Sequence, residues 1–260
     1  MFKFLRFAWA IWFLILFVLV FIILYIPFRI TLSRKKWYPA AHNLRKVWAT
    51  CILYPCGLWP TVIYESKPDK NKTYVFCANH FSYLDIVITN MLLPNYFNFM
   101  AKDELGKIPV FGIFFRTIDI SVNRKNNRES HYAFIVAGRR IKEGASIMIF
   151  PEGGIHKNVP PMAKFKAGAF RLAIENQIPI IPITLPDNWK RLPGGGLDNG
   201  LIPGRMRMVV HREVNTVGLK VEQKDELKEK VFSIIDAEFR KYNLTPNPSP
   251  LKKERGVCFR

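Results

Sequence analysis

His80 and Asp85 are the residues of this chain whose types and spacing most directly suggest chemistry. They lie in Asn79-His80-Phe81-Ser82-Tyr83-Leu84-Asp85, an imidazole and a carboxylate five positions apart. A carboxylate that accepts from one ring N–H fixes the tautomer and leaves the other nitrogen free as a base. Such a base can take a proton from a hydroxyl and typically contributes on the order of 10² to 10⁴ in rate. The spacing limits where the pair can sit: five steps of a regular helix turn about 140° from the starting direction, so the two side chains cannot share a face within one helix. They can meet if His80 stands just before a helix and Asp85 lies in its first turn. The flanking residues fit that arrangement. Residues 73–78 (Thr-Tyr-Val-Phe-Cys-Ala) read as a short buried strand, and Ser82-x-x-Asp85 ahead of Ile86, Val87 and Ile88 reads as a helix start. The same residues also fit a plain helix cap beside a structural histidine, and an isolated His-x-x-x-x-Asp does not choose between the two.

Further residues could hold an anion. Arg124 lies in the basic run Asn123-Arg124-Lys125-Asn126-Asn127-Arg128, and Lys164 and Lys166 follow later. A guanidinium presents a planar fork suited to phosphate oxygens, and a lysine adds a flexible point charge, although basic runs of this kind also serve as solvated loops. The apolar residues 147–150 read as a buried strand that delivers Glu152 to its end, where sites on open α/β sheets lie. Gly153-Gly154 then permits a turn with close backbone approach.

Taken in order, these segments form a pattern. After the His80 block come Lys102-Asp103-Glu104-Leu105, Ile108-Pro109-Val110-Phe111-Gly112 and Ile120-Ser121-Val122-Asn123-Arg124. Phe150-Pro151-Glu152-Gly153-Gly154, Phe165-Lys166-Ala167-Gly168-Ala169-Phe170 and Ile178-Pro179-Ile180-Ile181-Pro182-Ile183 follow. Over roughly residues 70–190 the chain resembles the glycerolipid acyltransferase family, whose best-known members are 1-acylglycerol-3-phosphate acyltransferases. The resemblance implies that His80 is the general base on an acceptor hydroxyl and Asp85 its orienting partner. It also implies that Arg124 holds a phosphate, that Glu152, Gly153 and Gly154 belong to a substrate-binding third block, and that Lys166 is a basic substrate-binding position. Residues 178–183 would form an apolar strand supporting the site. One departure matters. Family members commonly read Phe-Pro-Glu-Gly-Thr-Arg in the third block, whereas Gly154 and Ile155 stand here in place of the threonine and arginine. If that arginine binds the acceptor phosphate in those members, then Arg124, Lys164, Lys166 or Lys157 must compensate for it here.

Composition places this chemistry. Residues 7–26 carry no charge and include fifteen Leu, Ile, Phe or Val, about the length needed to cross a hydrocarbon core. On an insertion scale they favour the membrane by roughly 5 to 9 kcal/mol in sum. No small-x-small cleavage pattern follows, so the segment is expected to stay as an anchor. Lys3 and Arg6 precede it, while Arg29, Arg34, Lys35, Lys36, Arg45 and Lys46 follow. That excess puts the downstream domain on the cytoplasmic side, which in a bacterial cell means the inner membrane. Trp37, Ala41, Leu44 and Trp48 recur at helical spacing, which fits a helix in the interface or a core helix packed on the domain.

The net charge of +19 is drawn toward the same place, since no acidic residue occurs before Glu65 and anionic headgroups attract such a segment. Nucleic acid is the competing polyanion, but no finger, helix-turn-helix or RNA-binding signature is present. Cys51, Cys56, Cys77 and Cys258 lack metal-ligand spacing, and His42, His131, His156 and His211 are scattered, so no metal is expected.

The organisation that follows is a membrane anchor over 1–36, an amphipathic helix and linker over 37–65, a catalytic domain over 66–244 and a disordered basic tail over 245–260. Strands are expected at 97–102, 118–122, 146–150, 179–184 and 206–211. Helices are expected near 128–143, 167–176 and 222–242. Strands alternating with helices give an α/β fold with one mixed sheet covered on both faces. The run Gly194-Gly195-Gly196 reads as a loop rather than a nucleotide fingerprint.

The resulting expectation is a membrane-anchored O-acyltransferase. It would move a fatty acyl group from acyl-CoA or acyl carrier protein, each a co-substrate rather than a cofactor, to the sn-2 hydroxyl of 1-acylglycerol-3-phosphate. Another lysophospholipid or an aminolipid acceptor, and a non-catalytic lipid-binding scaffold, are the alternatives.

Overall fold

The computed structural model describes residues 2–123, 125–156, 160–193 and 199–243. In chain order the main elements are α1 (Lys3–Thr31), α2 (Tyr38–Leu53), β1 (Leu58–Tyr64), β2 (Val75–Ala78), α3 (Leu84–Leu92), β3 (Phe97–Lys102), α4 (Pro109–Phe115) and β4 (Ile120–Val122). They continue with α5 (Asn127–Lys142), β5 (Ser146–Ile149), α6 (Gly168–Glu175), β6 (Ile180–Thr184), α7 (Asn188–Arg191), β7 (Gly204–Val210) and α8 (Lys224–Asn243).

Short runs of buried apolar residues make the central strands. β2, β5 and β6 are buried at every position, the pattern of strands covered on both faces. The seven strands form one sheet in the order β1-β7-β6-β2-β5-β3-β4. β6, β2, β5, β3 and β4 run parallel, while β7 is antiparallel to β6 and parallel to β1, so the sheet is mixed.

Side-chain alternation sorts the core into two layers. Phe76, Ala78, Met148, Phe150, Ile181 and Ile183 pack with residues of α1, α2 and α3. Val75, Cys77, Ile147, Ile149 and Ile180 pack with residues of α5, α6 and α8. A period of two along each strand produces this division.

α1 runs back along α2. Its apolar stripe of Ala10, Phe13, Leu16, Phe21 and Phe28 is buried, and Trp48 of α2 donates its indole N–H to the Phe17 carbonyl at 3.0 Å. Trp9 and Trp12 donate to the carbonyls of Cys56 and Pro55 at 2.7 and 3.3 Å. The opposite face, with Ile11, Ile15, Leu19, Ile22, Ile23 and Ile26, is exposed. α1 is long and apolar enough to cross a membrane, with mean hydropathy 3.0 and 22% of its most apolar stretch buried.

Two expectations change at this end of the chain. The stretch over 37–65 is not only helix and linker, because its last residues form β1, one of the two edge strands of the sheet. Arg45, counted among the flanking charges, is buried and paired with Asp119 at 2.8 Å. α2 lies packed on the domain, with Ala41, Trp48, Ala49, Ile52 and Leu53 buried, so Arg45 points into the protein rather than toward a headgroup layer.

Candidate active site

The site lies at the carboxyl ends of the central parallel strands. β2 ends at Ala78 and the chain turns into α3, which places His80 between strand and helix and Asp85 in the first helical turn. His80 Nδ1 lies 3.1 Å from Asp85 Oδ2. The same oxygen accepts the backbone N–H groups of Phe81 and Ser82 at 2.7 and 2.8 Å. Ser82 Oγ in turn accepts from the Leu84 N–H at 3.2 Å. From the first turn of α3, Asp85 therefore ties down the two N–H groups of the turn before the helix and meets the ring with the same oxygen.

The imidazole is positioned on its flat side as well. It stacks on Phe150 with centroids 4.0 Å apart and planes 18° apart, and Phe99 stacks behind Phe150 at 6.3 Å. His80 is 8% exposed, and its Nε2 has no hydrogen-bond partner among the described residues. With Asp85 accepting at Nδ1, the open Nε2 is the basic nitrogen.

The other histidines differ. His211 is also beside a carboxylate, Glu65, at 2.9 Å, but its Nε2 is engaged by Thr184 Oγ1 at 2.8 Å. His42 is buried between Arg45 and the sheet, and burial together with the Arg45 charge holds it well below the usual histidine range. His131 and His156 are exposed.

Glu152 follows β5 and is 2% exposed. Its Oε1 accepts the His80 backbone N–H at 2.6 Å, and its Oε2 accepts the Ala163 N–H at 2.8 Å. Both oxygens are thus taken by backbone. Glu152 grips the turn that carries His80. Burial pushes its carboxyl up to about 8, against the two N–H groups that favour the anion.

Gly153 adopts φ +86°, and a Cβ there would come within 2.7 Å of Lys166 Nζ. The exposed Lys166 ammonium therefore lies directly over the third block, with its backbone N–H donating to the Pro151 carbonyl at 2.8 Å. Gly154, at φ +156°, has open space at its Cβ position. Lys164 is exposed. Arg124, Lys157, the glycine run 194–196 and the tail 245–260 lie outside the described residues.

The structure adds residues that the sequence did not single out. Asn79 is bonded twice to the backbone of Leu185: its Nδ2 donates to the carbonyl at 3.1 Å, and its Oδ1 accepts the N–H at 2.7 Å. Ser82 Oγ donates to the Leu192 carbonyl at 3.1 Å, and Asn188 Nδ2 donates to Asp85 Oδ1 at 2.7 Å. Three side chains of the first block are therefore tied to the segment after β6. In sequence that segment reads only as a polar turn, Pro186-Asp187-Asn188.

The chain is similar to known proteins. A family model described as Acyltransferase matches residues 60–186. A chloroplastic 1-acyl-sn-glycerol-3-phosphate acyltransferase of Brassica napus is 30% identical over 182 residues, which are 70% of this chain and 51% of that protein. The 1-acyl-sn-glycerol-3-phosphate acyltransferase of Escherichia coli (strain K12) is 29% identical over 141 residues, 52% of this chain and 57% of that one. The chain spans about half the length of the curated relatives it matches first. The crystal structure of the 1-acyl-sn-glycerophosphate (LPA) acyltransferase PlsC from Thermotoga maritima superposes with a TM-score of 0.74 at 20% identity, covering 95% of this chain and 100% of that one. That likeness extends the shared fold beyond the matched blocks to the N-terminal helices. From its sequence blocks, the chain belongs to the acyltransferase family.

Proposed function

We propose that this protein transfers a fatty acyl group from an acyl thioester to the free sn-2 hydroxyl of 1-acylglycerol-3-phosphate, giving phosphatidic acid. The observation that carries the reading is the open Nε2 of His80 opposite an Nδ1 fixed by Asp85. Nε2 takes the hydroxyl proton as the oxygen attacks the thioester carbonyl. The tetrahedral intermediate then collapses, the carbon–sulfur bond breaks, and the proton passes from His80 to the departing thiolate. Glu152 fixes the His80 backbone from below. Lys166, over Gly153, and Arg124 supply positive charge for the acceptor phosphate. The thioester donor is acyl-CoA or acyl carrier protein.

The exposed apolar face of α1 supports attachment to a membrane, where the lysolipid resides. Arg29 in the last turn of α1 and Arg34, Lys35 and Lys36 after it are exposed, and by charge bias this end faces the cytoplasm, in a bacterium the cytoplasmic side of the inner membrane.

Gly154 and Ile155 favour a second reading, in which the acceptor is another lysophospholipid or an aminolipid, because the third block lacks a further guanidinium. Acyl transfer by the purified protein to a panel of lysolipids separates the two. A preference for the phosphate monoester is expected, and equal rates with all acceptors would count against it. The His80→Ala variant is expected to lose on the order of 10²-fold or more in rate. Absence of transfer by the unmodified protein would instead favour a lipid-binding scaffold.

A further inference from the structure

We infer that Asn188 is a positioning residue for the His80–Asp85 pair, an inference that rests on the acyl-transfer reading of those two residues. The two oxygens of Asp85 are unequally served. Oδ2 accepts from Phe81 N–H, Ser82 N–H and the His80 ring, whereas Oδ1 accepts from Asn188 Nδ2 alone among the described residues, at 2.7 Å. With its far oxygen anchored, the carboxylate cannot rotate about its Cβ–Cγ bond and withdraw Oδ2 from the ring. Asn188 thus acts on His80 through Asp85, without touching the imidazole.

The amide is placed there at a cost. Asn188 is fully buried, and its Oδ1 has no hydrogen-bond partner among the described residues. A buried unpaired carbonyl oxygen is destabilising, while a hydrogen bond to a charged acceptor is among the stronger ones a side chain can make. Turning the amide over would set its oxygen against the carboxylate, so the charge on Asp85 fixes which end faces it.

The element carrying Asn188 is held rigidly for this purpose. Asp187 forms a two-pronged pair with Arg207 of β7 at 2.6 and 2.7 Å and also accepts the Arg207 backbone N–H. On the other side Leu185 is clasped by Asn79, and Leu192 by Ser82. The Arg191 carbonyl accepts from Ile202 at 2.8 Å. α7 is a single turn of helix with a brace at each end, and its buried side chain reaches the catalytic carboxylate.

The test uses the full-length protein in detergent micelles. In Asn188→Ala, kcat is expected to fall on the order of 10- to 100-fold, the loss typical when the partner of a site ligand is removed, while the KM for the lysolipid changes little. The second readout is the ¹⁵N spectrum of the histidine rings, with the His80 signals assigned by their loss in His80→Ala. Unmodified protein is expected to carry the ring proton on Nδ1, and Asn188→Ala to populate the Nε2–H form. A kcat within about threefold of the unmodified protein, a change confined to KM, or an unmoved ring tautomer would each overturn the inference. If the alanine variant does not fold, the same two readouts on Asn188→Ser decide it, because the shorter hydroxyl stops short of Asp85 Oδ1. Should the unmodified protein transfer no acyl group, the enzymatic reading fails, and the tautomer comparison still tests the coupling of Asn188 to His80.

Discussion

Glu152 holds His80 by the backbone, its Oε1 accepting the His80 N–H at 2.6 Å while Oε2 takes the Ala163 N–H at 2.8 Å. One side chain after β5 thereby joins the β2–α3 turn to the loop before α6. Replacing it by glutamine keeps the shape but sets an amide NH₂ against one of the two N–H donors. Glu152→Gln is therefore expected to lower kcat on the order of 10-fold and to destabilise the fold by about 1–3 kcal/mol. Steady-state kinetics and thermal unfolding in micelles check both.

The same residue gives the fold a pH dependence. A carboxyl raised from 4.5 to about 8 on folding binds its proton more tightly in the native state. Its contribution to stability is full below about 4.5 and is lost as pH rises through 8. Glutamine does not titrate. The stability advantage of the unmodified protein over Glu152→Gln is expected to shrink between those limits by up to about 1.4 kcal/mol per pH unit. Unfolding midpoints that fall in parallel for both proteins would remove Glu152 as the source.

Arg45 and Asp119 form a buried ion pair, closed by two hydrogen bonds at 2.8 and 3.1 Å, with Phe99 N–H also on the carboxylate at 2.9 Å. Arg45→Met leaves that carboxylate buried without its cation and is expected to cost about 3–5 kcal/mol. Adding Asp119→Asn, which removes the uncompensated charge, is expected to recover part of the loss. The double-mutant cycle in thermal stability measures the coupling, and purely additive losses would contradict it.

Ile15 and Ile22 lie on the outward face of α1, 49% and 62% exposed. Changing both to Asp is expected to leave the circular dichroism spectrum unchanged. Each is also expected to weaken membrane insertion by about 2.5–3.5 kcal/mol if it lies at mid-bilayer depth. Flotation with vesicles containing anionic lipid reads the outcome, and undiminished flotation would show that this face does not enter the bilayer.

Gly153→Ala meets two obstacles, a left-handed backbone at φ +86° and the Lys166 ammonium 2.7 Å from the new Cβ. The backbone conformation costs a residue with a Cβ about 1–2 kcal/mol, and the lysine must move aside. A rise in KM for the phosphate acceptor exceeding any fall in kcat is expected. The reverse pattern would place Lys166 away from the phosphate.

Much of this fold could be read from residue pattern because its central strands are short apolar runs between polar turns. Residues 75–78, 146–149 and 180–184 form strands where the sequence indicates them, and His80 falls at the strand-to-helix turn. β1 was harder to see. It contains Pro60, which counts against a central strand but is tolerated at the sheet edge, where β1 lies. Arg45 carries the signature of an exposed helix face, and only the distant Asp119, 74 residues away, explains its burial. Asn188 was illegible for a related reason: a lone asparagine in a turn has no period, and its partner lies 103 residues earlier.

The indoles of Trp9, Trp12 and Trp48, and the apolar stripe from Ala10 to Phe28, join α1 to the domain along most of its length. As the membrane attachment proposed above, such a helix is not an interchangeable tether. A foreign membrane segment of equal greasiness would satisfy the lipid side but present the wrong ridge to α2, leaving a furrow in the body of the protein. Swapping anchors between proteins of this architecture therefore requires transplanting the inward stripe together with the helix.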